Sequence, residues 1–305
     1  MNFGIIEIGS TNTKAYIFKK DVLNNFGSKH IAFKDNYKAL GKLSENDIKS
    51  LYDFIGEIKK EVTDIYAFGT SIFRNITKED LKVFTKQIES DLKIKFKVVT
   101  AYEETTYTVK GAINNIGYED KMAVVIGGGG STELAIIENK EIVKRYYFDF
   151  GAMDITDRFP DLKDDTSITD FNTIFEYTSN LIKDLNETAE TLVLAGGDYI
   201  YYYEKANYKL ENNFLYQDTN QPYLLDFNQL NQYDHDMMNK SFDQIRYENQ
   251  DNIGWWDGAR GMRFCMNAIA TKIQAKYIIP TRINMLIGIT DEILQSKKNK
   301  DNQNE

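Results

Sequence analysis

The stretch AVVIGGGGSTELAII, residues 123–137, sets four glycines between two runs of apolar residues. A flexible linker and a tight turn between strands both use glycine, and the flanks decide between them. Val124, Val125 and Ile126 lead in, and Leu134, Ala135, Ile136 and Ile137 lead out. Such runs read as strands, so the glycines read as a hairpin turn. Without a Cβ, a glycine turn lets backbone N–H groups face an anion unobstructed. A purely structural glycine bulge is the competing reading. No Gly-Lys-Ser or Gly-Lys-Thr follows, so this is not a Walker loop.

The chain repeats this pattern. Displaced by 119 residues, IIEIGSTNTKAYIF (5–18) lies over VVIGGGGSTELAII (124–137). Gly9 then falls on Gly128, Thr13 on Thr132 and Ile17 on Ile136. Both segments read as strand, Gly/Ser/Thr turn, strand. A third glycine pair, Gly196–Gly197, closes the apolar run TLVLAGG (191–197).

Around these landmarks strands and helices alternate, which argues for an α/β protein. FGIIEIG (3–9), KAYIF (14–18), DIYAFG (64–69) and FKVVT (96–100) read as strands. Helices are expected over 44–62, capped by Ser44 with Asp47 three residues on, over 77–92, and over 101–116. Another is expected within 164–185, with Ile174, Tyr177, Leu181 and Leu185 on one face, and two more near 258–275 and 283–295. The stretch 198–256, rich in Tyr, Asn, Asp and Gln, yields no clear elements, and YIYYYE (199–204) suits a strand or an interface. Of Trp255 and Trp256, one is expected in the core and one at the surface. The polar tail 296–305 is expected to be disordered.

Bulk properties narrow the function. The 305 residues carry a net charge of -9. An acidic chain is poorly suited to duplex DNA, where affinity comes mainly from neutralising phosphates, but a locally positive pocket can still hold a small anion. The single cysteine, Cys265, forms no internal disulfide and fits a reducing, cytoplasmic setting. It reads as a small buried apolar residue. No apolar run reaches the roughly 18–20 residues of a membrane helix, and MNFGIIEIGST lacks the features of a signal peptide.

Two glycine hairpins, one per half, are how the actin/sugar-kinase/chaperone fold grips phosphate. Within that group the chain resembles the exopolyphosphatase / guanosine-pentaphosphate phosphohydrolase (Ppx/GppA) family. The resemblance rests on ordered motifs: EIGSTNTK (7–14), GTSIFR (69–74), TAYEET (100–105), IGGGGSTEL (126–134), FGAMDITDRF (150–159) and LAGGD (194–198). It implies a duplicated ribonuclease-H-like, two-lobe fold with an interlobe cleft. The first lobe would cover 1–119, with a helix near 283–295 packed on it, and the second 120–282. The boundary falls at GYED (117–120).

The resemblance also implies roles. Gly9, Ser10, Thr11, Asn12, Thr13 and Lys14 would form the first phosphate loop. Gly128, Gly129, Gly130, Ser131 and Thr132 would form the second. Arg74 would be a phosphate ligand, as suits a planar guanidinium. Glu104 would activate water, Glu133 would lie near the reacting phosphate, and Glu103, Gly196 and Gly197 would line the cleft. Mg²⁺ would be held by Glu7 and Glu133 together with substrate oxygens. Read without the family, Glu103 and Glu104 are also explained as two acids in a helix's first turn, where they favour the helix dipole. The expected partner is polyphosphate or a phosphorylated guanosine nucleotide, with no DNA and no membrane. Homodimers are common in the family.

Several positions depart from the family's pattern. Glu7 stands where the family has Asp, Ile126 where it has a second Asp, Asp154 where it has Arg, and Asp198 where it has Thr. Thr11–Asn12 replaces Asn–Ser/Thr, and Leu286 replaces an arginine. A phosphate-binding module without turnover therefore stands beside the hydrolase, as does a small kinase of the same superfamily.

Overall fold

A computed structural model describes residues 1–116, 121–164, 170–197, 199–205, 211–212, 223–250 and 253–301. Two compact units are present, Met1–Tyr107 with Leu286–Glu305, and Thr108–Met285. The boundary motif at 117–120 and Asp198 lie outside the described residues.

In the first unit β1 (Phe3–Ile8), β2 (Asn12–Lys19) and β3 (Val22–His30) form an antiparallel meander. Helices α1 (Phe33–Leu40) and α2 (Glu45–Lys59) follow. Next come β4 (Ile65–Gly69), α3 (Ser71–Asn75), α4 (Lys78–Leu92), β5 (Lys95–Val98) and α5 (Ala101–Ile116), within which the two units divide. Strands β4 and β5 join in parallel, giving the order β3-β2-β1-β4-β5.

The second unit repeats the plan. Strands β6 (Met122–Gly127), β7 (Thr132–Glu138) and β8 (Glu141–Phe148) form the meander, and α6 (Ala152–Arg158) and α7 (Phe171–Leu181) follow. Then come β9 (Thr191–Ala195), α8 (Tyr199–Lys205), β10 (Glu211–Asn212), β11 (Tyr223–Asp226), α9 (Phe227–Met238), α10 (Phe242–Glu248), α11 (Ile253–Lys272) and β12 (Tyr277–Pro280). The order β10-β11-β12-β9-β6-β7-β8 contains the first sheet's order, extended at one edge. The fold is thus a duplicated ribonuclease-H-like, two-lobe fold. Helix α12 (Met285–Asp301) ends the described chain and takes in residues 296–301 of the stretch expected to be a disordered tail.

Alternation along the strands builds the cores. Ile6, Ile8, Ala15 and Ile17 face one side of the first sheet and pack with Leu51, Ile55, Ile58, Phe73, Phe84 and Ile88. Glu7 and its cross-strand partner Lys14 therefore face the other side. In the second unit Ala123, Val125, Leu134 and Ile136 pack with Phe264, Cys265, Ala268 and Ile269 of α11. Burial pushes the Cys265 thiol up to about 12, so it is an inert core residue, as the sequence suggested.

Three local expectations change. Ser44 begins α2, but its side chain makes no capping bond. Asp47 instead accepts from Asn36 Nδ2 at 3.0 and 2.9 Å, tying α2 to α1. Leu181, expected on the apolar face of α7, is 39% exposed at the helix's end, while Leu185 beyond it is buried. The tyrosine run is a helix, α8, rather than a strand. Trp256 is buried as expected of one of the pair; the side chain of Trp255 lies outside the described residues.

Thr77, by contrast, caps α4. Its Oγ1 accepts from Asp80 N at 3.1 Å and donates to Asp80 Oδ2 at 2.7 Å, and Tyr37 Oη donates to the same carboxylate. Thr77→Ala should cost about 1 kcal/mol or more, the usual worth of an N-cap, whereas Ser44→Ala should cost a few tenths. Urea unfolding of the two variants checks the contrast.

Candidate active site

The two hairpins share one construction. Gly9 N donates to Asn12 O at 3.0 Å, and Gly128 N donates to Ser131 O at 2.9 Å. Each bond is the other displaced by 119 residues. Thr13 and Thr132, which follow these turns, are both fully buried. A Cβ at Gly9 would come within 2.8 Å of Asn12 O, so the first turn closes only over glycine.

In both loops the carbonyls are used up by chain that returns over them. Ser10 O accepts from Lys34 N and Thr11 O from Ile31 N. Gly128 O accepts from Ala152 N at 3.0 Å and Gly129 O from Met153 N at 2.8 Å. Carbonyls held from one side leave the peptide N–H groups turned away. Among the described residues, the N–H groups of Ser10, Thr11, Gly129 and Gly130 find no acceptor. They are donors left open at the two turns.

The charged groups of the first unit gather beside its hairpin. Glu7 lies across from Lys14 at the end of the β1–β2 pair. Burial pushes the Glu7 carboxyl above its ordinary value. Lys14 opposes this, Glu104 adds to it, and Arg74 opposes it in turn. Helix α3 begins directly after β4 and carries Arg74 in its last turn. Arg74 Nη1 donates to Glu104 Oε2 at 2.8 Å and to Val99 O at 3.1 Å. The two side chains are about a quarter exposed, at 26% and 28%.

Glu103, next in sequence to Glu104, does something different. Thr100 Oγ1 accepts from Glu103 N at 3.1 Å, and Glu103 Oε2 accepts from Thr100 N at 2.9 Å. This is a reciprocal capping box at the start of α5, and its T-x-x-E pattern is readable in the sequence. Lys97 Nζ adds an ion pair at 2.8 Å. The Lys97 ammonium, and after it the Thr100 N–H, hold the Glu103 carboxyl below its ordinary value. A depressed folded-state value means stability that is present at neutral pH and lost as pH falls through that value. Glu103→Gln should therefore lower the melting temperature at pH 7, and the gap to the wild type should close as pH falls below the ordinary carboxylate range. Thermal melts between pH 7 and pH 3 read this directly.

The second unit places Glu133 differently. Its cross-strand partner is Ile126, and Ser131 Oγ donates to it at 3.0 Å. Ile126 is buried, and its Cγ2 lies 2.9 Å from where a Cβ on Gly196 would stand. Gly196 has φ +89°, a conformation that favours glycine, and its N–H donates to Ile283 O at 2.7 Å. Gly197 follows at the strand's end, packed near the Tyr199 ring.

Among the described residues, no group of three or more His, Cys, Asp or Glu could hold a metal ion by itself. Mg²⁺ commonly takes one or two carboxylates and completes its shell with water and substrate phosphates. Glu7, the carboxylate beside the first hairpin, is raised above its ordinary value chiefly by burial. One carboxylate such as Glu7, completed by water and substrate oxygens, fits such an ion.

The model of the Ppx/GppA phosphatase family matches residues 28–250. The chain belongs to this family. A Ppx/GppA member from Aquifex aeolicus superposes with a TM-score of 0.79 at 18% identity, covering 97% of this chain and 98% of that one. An exopolyphosphatase from Cytophaga hutchinsonii gives 0.74 at 15% identity, with the same coverage. A bifunctional 3-dehydroquinate synthase/phosphatase of Fusobacterium nucleatum is 29% identical over 114 residues, which are 37% of this chain and 17% of that protein. The chain thus spans only a small part of that curated relative. Among the described residues, no helix is long and apolar enough to cross a membrane.

Against the Ppx/GppA pattern described above, the unusual residues have structural work. Asp154 Oδ2 accepts from Gly151 N at 2.9 Å, so the acid caps the start of α6. Leu286 is fully buried at the start of α12.

Proposed function

We propose that this Ppx/GppA protein is a phosphohydrolase that removes terminal phosphate from inorganic polyphosphate or guanosine pentaphosphate. One observation carries the reading. A carboxylate, Glu104, and a guanidinium, Arg74, touch beside the Glu7–Lys14 pair at the first glycine hairpin. Cleaving a phosphoanhydride requires a base for water, cations over the phosphoryl oxygens, and donors that hold the chain in line. Glu104 is the base, and Arg74 and Lys14 are the cations. The open N–H groups of Ser10 and Thr11 in the first hairpin are donors, and the second hairpin carries the same kind of donors in Gly129 and Gly130. Bound Mg²⁺ would neutralise phosphate charge, with Glu7 as a carboxylate ligand from the first unit.

In the step, the water oxygen bonds to the terminal phosphorus and its proton passes to Glu104. The bridging P–O bond breaks, and the shortened chain leaves with the electron pair. The relatives named as a phosphatase and an exopolyphosphatase support the same class.

Ile126 favours a second reading, since it leaves Glu133 without a carboxylate opposite it. In that reading the loops bind phosphate and nothing turns over. Phosphate release by the purified protein with Mg²⁺, from long polyphosphate and from guanosine pentaphosphate, separates the two. Release that stops on chelation supports the hydrolase. Thermal stabilisation by either compound without release would replace the hydrolase with the binding module.

A further inference from the structure

We propose that Arg74 is shared between Glu104 and the incoming phosphate, so that phosphate binding breaks the Arg74–Glu104 ion pair. The inference rests on the roles proposed above for these two residues and adds that they exclude one another.

The geometry sets up the exclusion. A single nitrogen of Arg74, Nη1, serves both Glu104 Oε2 at 2.8 Å and Val99 O at 3.1 Å. The pair is partly withdrawn from water, at 26% and 28% exposure, so its attraction is screened less than that of a surface pair. A phosphate can reach the Nη1 face of Arg74 only by displacing the Glu104 oxygen that now occupies it. Glu104 is also fixed from behind, since its N–H donates to Thr100 O at 2.9 Å in a helical turn already held by the Thr100–Glu103 box. It cannot follow Arg74 far.

A phosphate competes well for the guanidinium. It carries more charge than a carboxylate and presents two oxygens to the planar fork. Val99 O remains as the anchor that keeps Arg74 in place when Glu104 is released. Glu104 is thus an internal competitor of the substrate, and removing its charge should tighten phosphate binding while stopping turnover.

The test is a double-mutant cycle read by isothermal titration with methylenediphosphonate, whose P–C–P linkage is not hydrolysed. The proteins are the wild type, Glu104→Gln, Arg74→Gln and the double variant, all without metal. Glu104→Gln should bind about tenfold tighter, within the coupling seen for groups in contact. Arg74→Gln should bind more weakly, and adding Glu104→Gln to it should restore nothing. Arg74→Lys substitutes if Arg74→Gln does not fold, and should shrink the gain.

Unchanged or weaker binding by Glu104→Gln would overturn the proposal. So would a gain that persists without Arg74, which would mark simple charge repulsion. Absence of binding by both the wild type and Glu104→Gln would overturn it too. Because the probe is not cleaved, the cycle reads out whether or not polyphosphate is hydrolysed. Phosphate release with a failed cycle would keep the hydrolase and remove the exchange.

Discussion

Glu104→Gln should lower the turnover number for phosphate release by about 10²- to 10⁴-fold, the usual worth of a positioned general base. The amide keeps the size of the carboxylate and can still accept from Arg74 Nη1, so the local packing stays. It cannot take a proton from water. Stability should change by no more than about 1 kcal/mol, because the Arg74–Glu104 pair is partly solvated and the rest of the α5 turn is held by Thr100 and Glu103. KM should not rise, since the variant loses a competitor for Arg74. Steady-state phosphate release with matched thermal melts checks all three expectations. Undiminished turnover would remove Glu104 from the chemistry, and a large drop in stability would mark it as structural.

The second large effect is expected at a contact between backbones. Gly151→Ala should destabilise the second unit by about 3 kcal/mol, at the upper end of overpacking costs. Gly151 has φ -148°, an extended conformation that alanine adopts freely, so the penalty is purely steric. A Cβ there would lie 2.3 Å from Gly128 O and 2.7 Å from Gly129 C. These are backbone atoms of the glycine turn and cannot rotate aside. To make room, the loop must separate from α6, which breaks the bonds from Ala152 N to Gly128 O and from Met153 N to Gly129 O. Gly56→Ala is the control. Nothing lies within 4 Å of its Cβ position in the middle of α2, so alanine there should stabilise by up to about 1 kcal/mol. Urea unfolding of both variants, monitored by circular dichroism, gives opposite signs if the argument holds. A neutral Gly151→Ala would mean that the loop is not clamped by α6.

The two hairpins were legible because their causes are local. Strand alternation, apolar flanks and a glycine turn sit within about fifteen residues, and the 119-residue echo survives in matching bonds at Gly9 and Gly128. Other features depended on distant neighbours. Ser44 has the right residue type for a cap, yet Asp47 of the same turn is drawn to Asn36 of α1. The tyrosines of α8 suit helix and strand alike, and burial of Tyr199 and Tyr203 against the second unit's core settles them as helix.

Glu103 and Glu104 show the division most clearly. In sequence they are the same residue twice, at a place where any acid suits the helix dipole. That much, and the T-x-x-E cap, the sequence determines alone. Successive helical residues point about 100° apart. One of the two must therefore turn back to Thr100 and Lys97, and the other must turn toward whatever lies beside the helix. What lies there is Arg74, 30 residues earlier in the chain and brought over by the β4–α3 turn. Only the tertiary structure could give Glu104 that partner, because an ion pair needs two groups close in space and sequence order does not supply the distance.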